Sequence, residues 1–231
     1  MTSQWISVNA ADGGQFDAYL ALPPSGKGPG LVLFEEIFGV NRHIRAVVEQ
    51  YAQSGFVVLA PDMFWRQERR MELGYEGADR DKAVAAMKAA DPAKLLEDIG
   101  STVKALRARP EVSGKIGTLG FCMGGRLAYQ AAALGVVDAA VSLYGGGIQG
   151  ELDRVAKISA PMQFHYGEQD AGIPLDAVDK VKSAFKGKQA EFFLYPNAGH
   201  GFNCWDRASY HAKSAALSHG RALAFLAEHL Y

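Results

Sequence analysis

Apolar and polar positions follow two rhythms that take turns along this chain. Gln4–Val8 and Gln15–Ala21 alternate with a period of two on either side of Asp12-Gly13-Gly14, a tripeptide suited to positive φ, and predict a hairpin. Pro23–Gly30 reads as a surface loop. Leu31–Phe34 is a continuous apolar run, as expected of a strand covered on both faces, and it stops at Glu35-Glu36-Ile37-Phe38-Gly39. Asn41 can cap a helix that runs to about Ser54-Gly55, and Phe56–Ala60 is the next buried strand, ended by Pro61. From Asp62 to Lys94 the rhythm lapses into aromatics and mixed charges, which predicts a cap or long connection above the sheet. A helix over Pro92 to about Arg107 follows.

The second half repeats the alternation. Lys115–Leu119 reads as a short buried strand and Arg126–Leu134 as an Ala-rich helix ended by Gly135. Between them lies Gly120-Phe121-Cys122-Met123-Gly124-Gly125, a strand that reverses into a helix within a few residues. Such a corner crowds the backbone around its central side chain, so the flanking positions must lack a Cβ. Ala139–Tyr144, Met162–Tyr166 and Ala190–Tyr195 are further strands, and a long closing helix spans about Ala208 to Leu230 with Ala216, Leu223, Phe225 and Leu226 on its apolar face. Strands alternating with helices predict an α/β fold, a mostly parallel central sheet of about eight strands with helices on both faces. No repeat, low-complexity tract or linker divides residues 1–231, so the expectation is a single domain.

Composition changes this picture little. The chain is 48% hydrophobic and 21% charged, with 24 basic and 25 acidic residues and a net charge of −1. No block of like charge suggests nucleic acid or an anionic membrane as partner. Neither a signal peptide nor an apolar run of about 18 residues is visible, and two cysteines without CxxC spacing suit a reducing compartment, so a cytoplasmic location is expected.

Chemistry concentrates in loops beyond the carboxyl ends of the strands, where α/β sheets meet their ligands. Four such loops carry Glu36, Cys122, Asp170 and His200. A nucleophile, then an acid, then a histidine is the chain order of the α/β-hydrolase fold, and the corner at Cys122 is its nucleophile elbow with sulfur in place of oxygen. A thiol with a pKa of about 8.5 is mostly protonated at neutral pH, so His200 would take its proton while Asp170 orients the imidazole. The backbone N–H groups of Met123 and Ile37 would receive the oxyanion. Alternatives stand beside each role. Cys122 could be an inert small hydrophobe. His43, His165, His211, His219 and His229 compete with His200, and Glu168 or Asp62 with Asp170. If helical, the i, i+4 pair His200 and Cys204 could join Cys122 around zinc. No metal or organic cofactor is expected.

These residues resemble the dienelactone hydrolase (carboxymethylenebutenolidase) family from about Phe16 to Leu226. The resemblance rests on Glu36-Ile37-Phe38-Gly39, Ala60-Pro61-Asp62, Gly120–Gly125 with cysteine at the elbow, Tyr166-Gly167 with Asp170, and Ala198-Gly199-His200. It implies hydrolysis of a lactone or small carboxylic ester through an acyl-thioester. It also implies that Glu36 interacts with the resting thiol until substrate displaces it, and that Arg80 grips a substrate carboxylate. In the family pattern a second arginine stands where this chain has Cys204, a serine where it has Gly201, and aromatics where it has Val84 and Met87. Arg207 lies nearby in sequence. Alternatives of the same fold are a general carboxylesterase or thioesterase. A non-catalytic binding module and a thiol redox protein using Cys122 and Cys204 come from other classes. The expected partner is a small molecule, with the chain a monomer or small homo-oligomer.

Overall fold

The computed structural model describes residues 2–231. In chain order its strands are β1 (Thr2–Asn9), β2 (Gln15–Leu22), β3 (Gly28–Phe34), β4 (Val57–Pro61), β5 (Val112–Phe121), β6 (Ala139–Leu143), β7 (Met162–Gly167) and β8 (Ala190–Tyr195). Its α-helices are α1 (Arg42–Gln53), α2 (Gly77–Ala89), α3 (Pro92–Arg107), α4 (Met123–Ala133), α5 (Leu175–Ala184) and α6 (Ala212–Leu230). All eight strands form one sheet in the order β1-β2-β4-β3-β5-β6-β7-β8. β1 pairs antiparallel with β2 and β2 with β4; from β4 to β8 every pairing is parallel. This is the α/β-hydrolase arrangement that the alternating pattern predicts.

The central strands read as apolar runs because both of their faces are covered. Leu31, Val32, Leu33 and Phe34 are fully buried, as are Val57, Val58, Leu59 and Ala60. Burying a Val, Leu or Phe side chain in this way stabilises the fold by about 1.5–3 kcal/mol. At the head of α1, Asn41 Oδ1 accepts from Ile44 N at 3.1 Å. The same side chain donates from Nδ2 to Leu73 O and to Tyr75 Oη, tying this helix start to the connection after β4. A cap of this kind is worth about 1 kcal/mol.

Several expectations are corrected. The loop expected over Pro23–Gly30 ends early, since Gly28 already opens β3: any Cβ there would land on the Gly55 carbonyl, and the bare backbone can instead lie beside β5. The illegible stretch after Asp62 contains α2, of which only Ala83 and Ala86 are buried, so it lacks the apolar face that periodicity detects. α5 had no distinct signal. The closing helix begins at Ala212, not Ala208, and it buries Ala215 where Ala216 was expected, leaving Ala216 exposed. Residues 201–210 form successive turns, with Cys204 N bonded to Gly201 O, so His200 and Cys204 are not on one helix.

Candidate active site

The parallel strands converge on one edge, and the loops leaving them each deliver a side chain. Glu36 follows β3, Cys122 follows β5, Tyr144 follows β6, Asp170 follows β7 and His200 follows β8. Cys122 has φ 55° and ψ −117°, a conformation that costs a non-glycine residue about 1–3 kcal/mol. Its neighbours hold it there. Cys122 N donates to Leu143 O at 3.0 Å, and any Cβ on Gly120 would collide with the Gly124 carbonyl. Gly124 itself lies against the carbonyls of Phe34 and Glu35, and Gly125 against that of Leu143. The elbow is therefore wedged between the ends of β3 and β6.

His200 Nδ1 lies 2.7 Å from Asp170 Oδ2. Asp170 is nearly fully buried, and its other oxygen accepts from Gly172 N at 2.8 Å, so the carboxylate cannot turn away. Burial opposes a charged His200 ring, but the hydrogen bond with Asp170 and the neighbouring Cys122 sulfur outweigh it and push the pKa up to about 10. The rival residues sit elsewhere. Glu168 is exposed and accepts from Asn197 N. Asp62 accepts from Phe64 N and Arg70 N. His165 is buried between Tyr195 Oη and Gln163 Oε1. Among the described residues the N–H groups of Ile37 and Met123 take no backbone acceptor outside regular helix and strand pairing.

Glu36 is buried, and its Oε1 accepts from Arg207 Nη1 at 3.0 Å, while its Oε2 has no partner among the described residues. Burial pushes its pKa up against the pull of Arg207 and His200. The Arg207 guanidinium sits 5.6 Å from the ring centroids of both Phe38 and Tyr75, within cation–π range. Gly201, at φ +75°, makes room for it, because any Cβ there would lie 2.5 Å from Arg207 Nη1. Tyr144, at φ 38°, completes the cluster, its ring 5.2 Å from that of His200 and its buried hydroxyl without a partner among the described residues. Cys204 is fully buried, and burial pushes its pKa up to about 12. Arg80 is exposed on α2 and makes no side-chain hydrogen bond or ion pair among the described residues, so no contact ties it to this cluster.

Sequence reasoning missed Tyr75 and Tyr144. Tyr144 carried a signal, an aromatic at the carboxyl end of a strand before three glycines. Tyr75 lies in the stretch without periodicity and carried none.

An eight-stranded mixed sheet with an elbow, a histidine and an acid at its carboxyl edge defines an α/β-hydrolase. The chain belongs to the dienelactone hydrolase family, whose model matches residues 16–230. It is 33% identical over 229 residues to a carboxymethylenebutenolidase of Pseudomonas putida, covering 98% of this chain and 97% of that one. It is 30% identical to carboxymethylenebutenolidase 1 of Cupriavidus pinatubonensis, covering 98% and 97%. A crystal structure from Klebsiella pneumoniae, of a protein assigned to the dienelactone hydrolases, superposes with a TM-score of 0.86 at 30% identity, over 99% of this chain and 100% of that chain. The chain is thus a hydrolase acting on ester or lactone bonds. Among the described residues no helix is long and apolar enough to cross a membrane.

Proposed function

We propose that the chain opens a lactone, or cleaves a small carboxylic ester, by covalent catalysis at Cys122. The observation that carries this reading is the bonded pair of Asp170 and His200 in the loops that flank a cysteine held at a strained elbow. Cys122 Sγ attacks the acyl carbon as a thiolate, its proton held on the His200 ring, whose positive charge Asp170 stabilises. The carbonyl oxygen becomes an oxyanion against the N–H groups of Met123 and Ile37. Collapse breaks the acyl–oxygen bond, and His200 returns the proton to the departing oxygen. A water molecule, deprotonated by His200, then cleaves the thioester and restores the thiol.

Glu36 belongs to this reading as a conditional base. Its bond to Arg207 keeps the carboxylate engaged at rest. A substrate anion competing for Arg207 would release Glu36 towards the sulfur, so that activation follows binding. The resemblance assigns the grip on that anion to Arg80, which is exposed on α2 and has no side-chain partner among the described residues. Dienelactone-type ring opening is the leading activity, and no step in it calls for a metal or an organic cofactor. Intact-mass spectrometry during turnover of a lactone tests the proposal: an acyl adduct on Cys122 that decays with water is expected. Full activity in Cys122→Ala would overturn it.

A further inference from the structure

Among the described residues Arg207 makes one side-chain hydrogen bond, from Nη1 to Glu36 Oε1. A single bond fixes one nitrogen of a guanidinium and leaves its plane free to pivot, on one of the most rotamer-rich side chains. Two aromatic rings restrict it. Phe38 comes from the loop after β3 and Tyr75 from the connection between β4 and α2, and each ring centroid lies 5.6 Å from Arg207 Cζ. The two rings meet edge to face, with centroids 4.6 Å apart. The Arg207 side chain is only 19% exposed, and the attraction between a cation and a ring quadrupole is strongest where water is excluded.

Tyr75 is itself held from its far end. Asn41 Nδ2 donates to Tyr75 Oη at 3.0 Å and to Leu73 O at 3.2 Å, while Asn41 Oδ1 caps α1. Leu73 N donates to Phe38 O at 3.0 Å, and Gly39 lies so close to the Met71 carbonyl that any Cβ would collide with it. Residues 71–75 are thus laid along residues 38–41. A ring from a stretch without regular structure is anchored through its own hydroxyl and through the backbone that carries it. Burial raises the pKa of Tyr75, so the phenol stays neutral at neutral pH and meets Arg207 as a ring, not as a charge.

Resting on the hydrolase reading, we infer that Tyr75 is a positioning residue: its ring, pinned by Asn41, holds Arg207 on Glu36 and so keeps that carboxylate paired with its counter-charge. Without the ring the guanidinium pivots off. Glu36, buried and deprived of its partner, then takes up a proton and cannot serve as a base.

The experiment follows the Glu36 carboxyl carbon by NMR, assigned with Glu36→Gln, as pH is raised in the wild type, Tyr75→Leu and Tyr75→Phe. The same proteins are compared in kcat/KM for p-nitrophenyl butyrate and in melting temperature. Arg207 and His200 favour the ionised form of Glu36 against burial, and Tyr75 and Tyr144, like Cys204, have their pKa values raised by burial and stay neutral at neutral pH. Tyr75→Leu weakens the hold of Arg207, so the Glu36 midpoint is expected at higher pH and kcat/KM about tenfold lower, the scale of one desolvated cation–π contact. Tyr75→Phe keeps the ring and is expected to recover most of both. A merely structural tyrosine would lower the melting temperature and leave the midpoint where it was. An unmoved midpoint in Tyr75→Leu overturns the proposal, as does a Tyr75→Phe that loses as much as Tyr75→Leu. Should leucine unfold the strap, Tyr75→Met removes the π face at similar length and is read in the same way. The titration needs no turnover, so the two readings fail separately. Full activity in Cys122→Ala beside a raised midpoint in Tyr75→Leu sinks hydrolysis at Cys122 and leaves Tyr75 its hold on Arg207. An acyl adduct on Cys122 beside an unmoved midpoint does the reverse.

Discussion

Arg207 reaches Glu36 only because residue 201 has no side chain. The guanidinium passes over the Gly201 Cα to place Nη1 3.0 Å from Glu36 Oε1, in space that a Cβ would take. Gly201→Ser should therefore dislodge Arg207 as well as strain a backbone at φ +75°. A buried, charge-assisted contact of this kind is worth about 1.5–3 kcal/mol, so kcat/KM should fall about tenfold to a hundredfold. Steady-state kinetics check this, and an unchanged kcat/KM would show that the Glu36–Arg207 pair is incidental.

Asp170 Oδ2 lies 2.7 Å from His200 Nδ1, and in the proposed reaction it orients the ring. Asp170→Asn keeps the shape but offers the wrong group to Nδ1, and kcat should fall by a factor on the order of 10³–10⁴ with little change in melting temperature. Glu168→Gln, on an exposed side chain away from His200, should leave kcat near the wild-type value.

The two cysteines should react very differently. Cys122 is partly accessible beside His200, whereas Cys204 is fully buried with its pKa pushed up to about 12. Iodoacetamide at pH 8 should add one carbamidomethyl group, at Cys122, with loss of activity, and a second only after unfolding. Peptide mapping reads the outcome, and early labelling of Cys204 would contradict it.

Glu35 gives a pH signature of stability. Its side chain is fully buried, Oε1 accepts from Met63 N, and Oε2 has no partner among the described residues. Desolvation, then repulsion from Asp62, raises its pKa well above that of a free carboxyl. The folded state thus holds a proton that the unfolded chain releases above about pH 4.5. This contribution is full below the unfolded pKa and is lost as pH rises through the folded one. Glu35→Gln should flatten the fall in melting temperature between pH 5 and pH 8, relative to the wild type. Parallel curves for the two proteins would refute the assignment.

What the sequence made legible follows from how local each signal is. The buried strands declared themselves as apolar runs, and the elbow by glycines at 120, 124 and 125 that the backbone of β3 and β6 requires. Asp170 and His200 could be placed because each follows a strand. The start of β3 was misread, since Gly28 and Gly30 look like loop residues until the neighbouring backbone that needs them bare is in view. α2 was hidden by its mostly exposed surface. The Glu36–Arg207 pair joins positions far apart in the chain, and no spacing rule announces a contact made across a vacancy at Gly201.

The corner at residue 122 is shaped by its neighbours and not by sulfur: three bare α-carbons and the Leu143 carbonyl hold it. The scaffold is therefore indifferent to which chalcogen it presents. An oxygen atom placed there would inherit the same bend and the same imidazole, and would differ only in how readily it surrenders a proton.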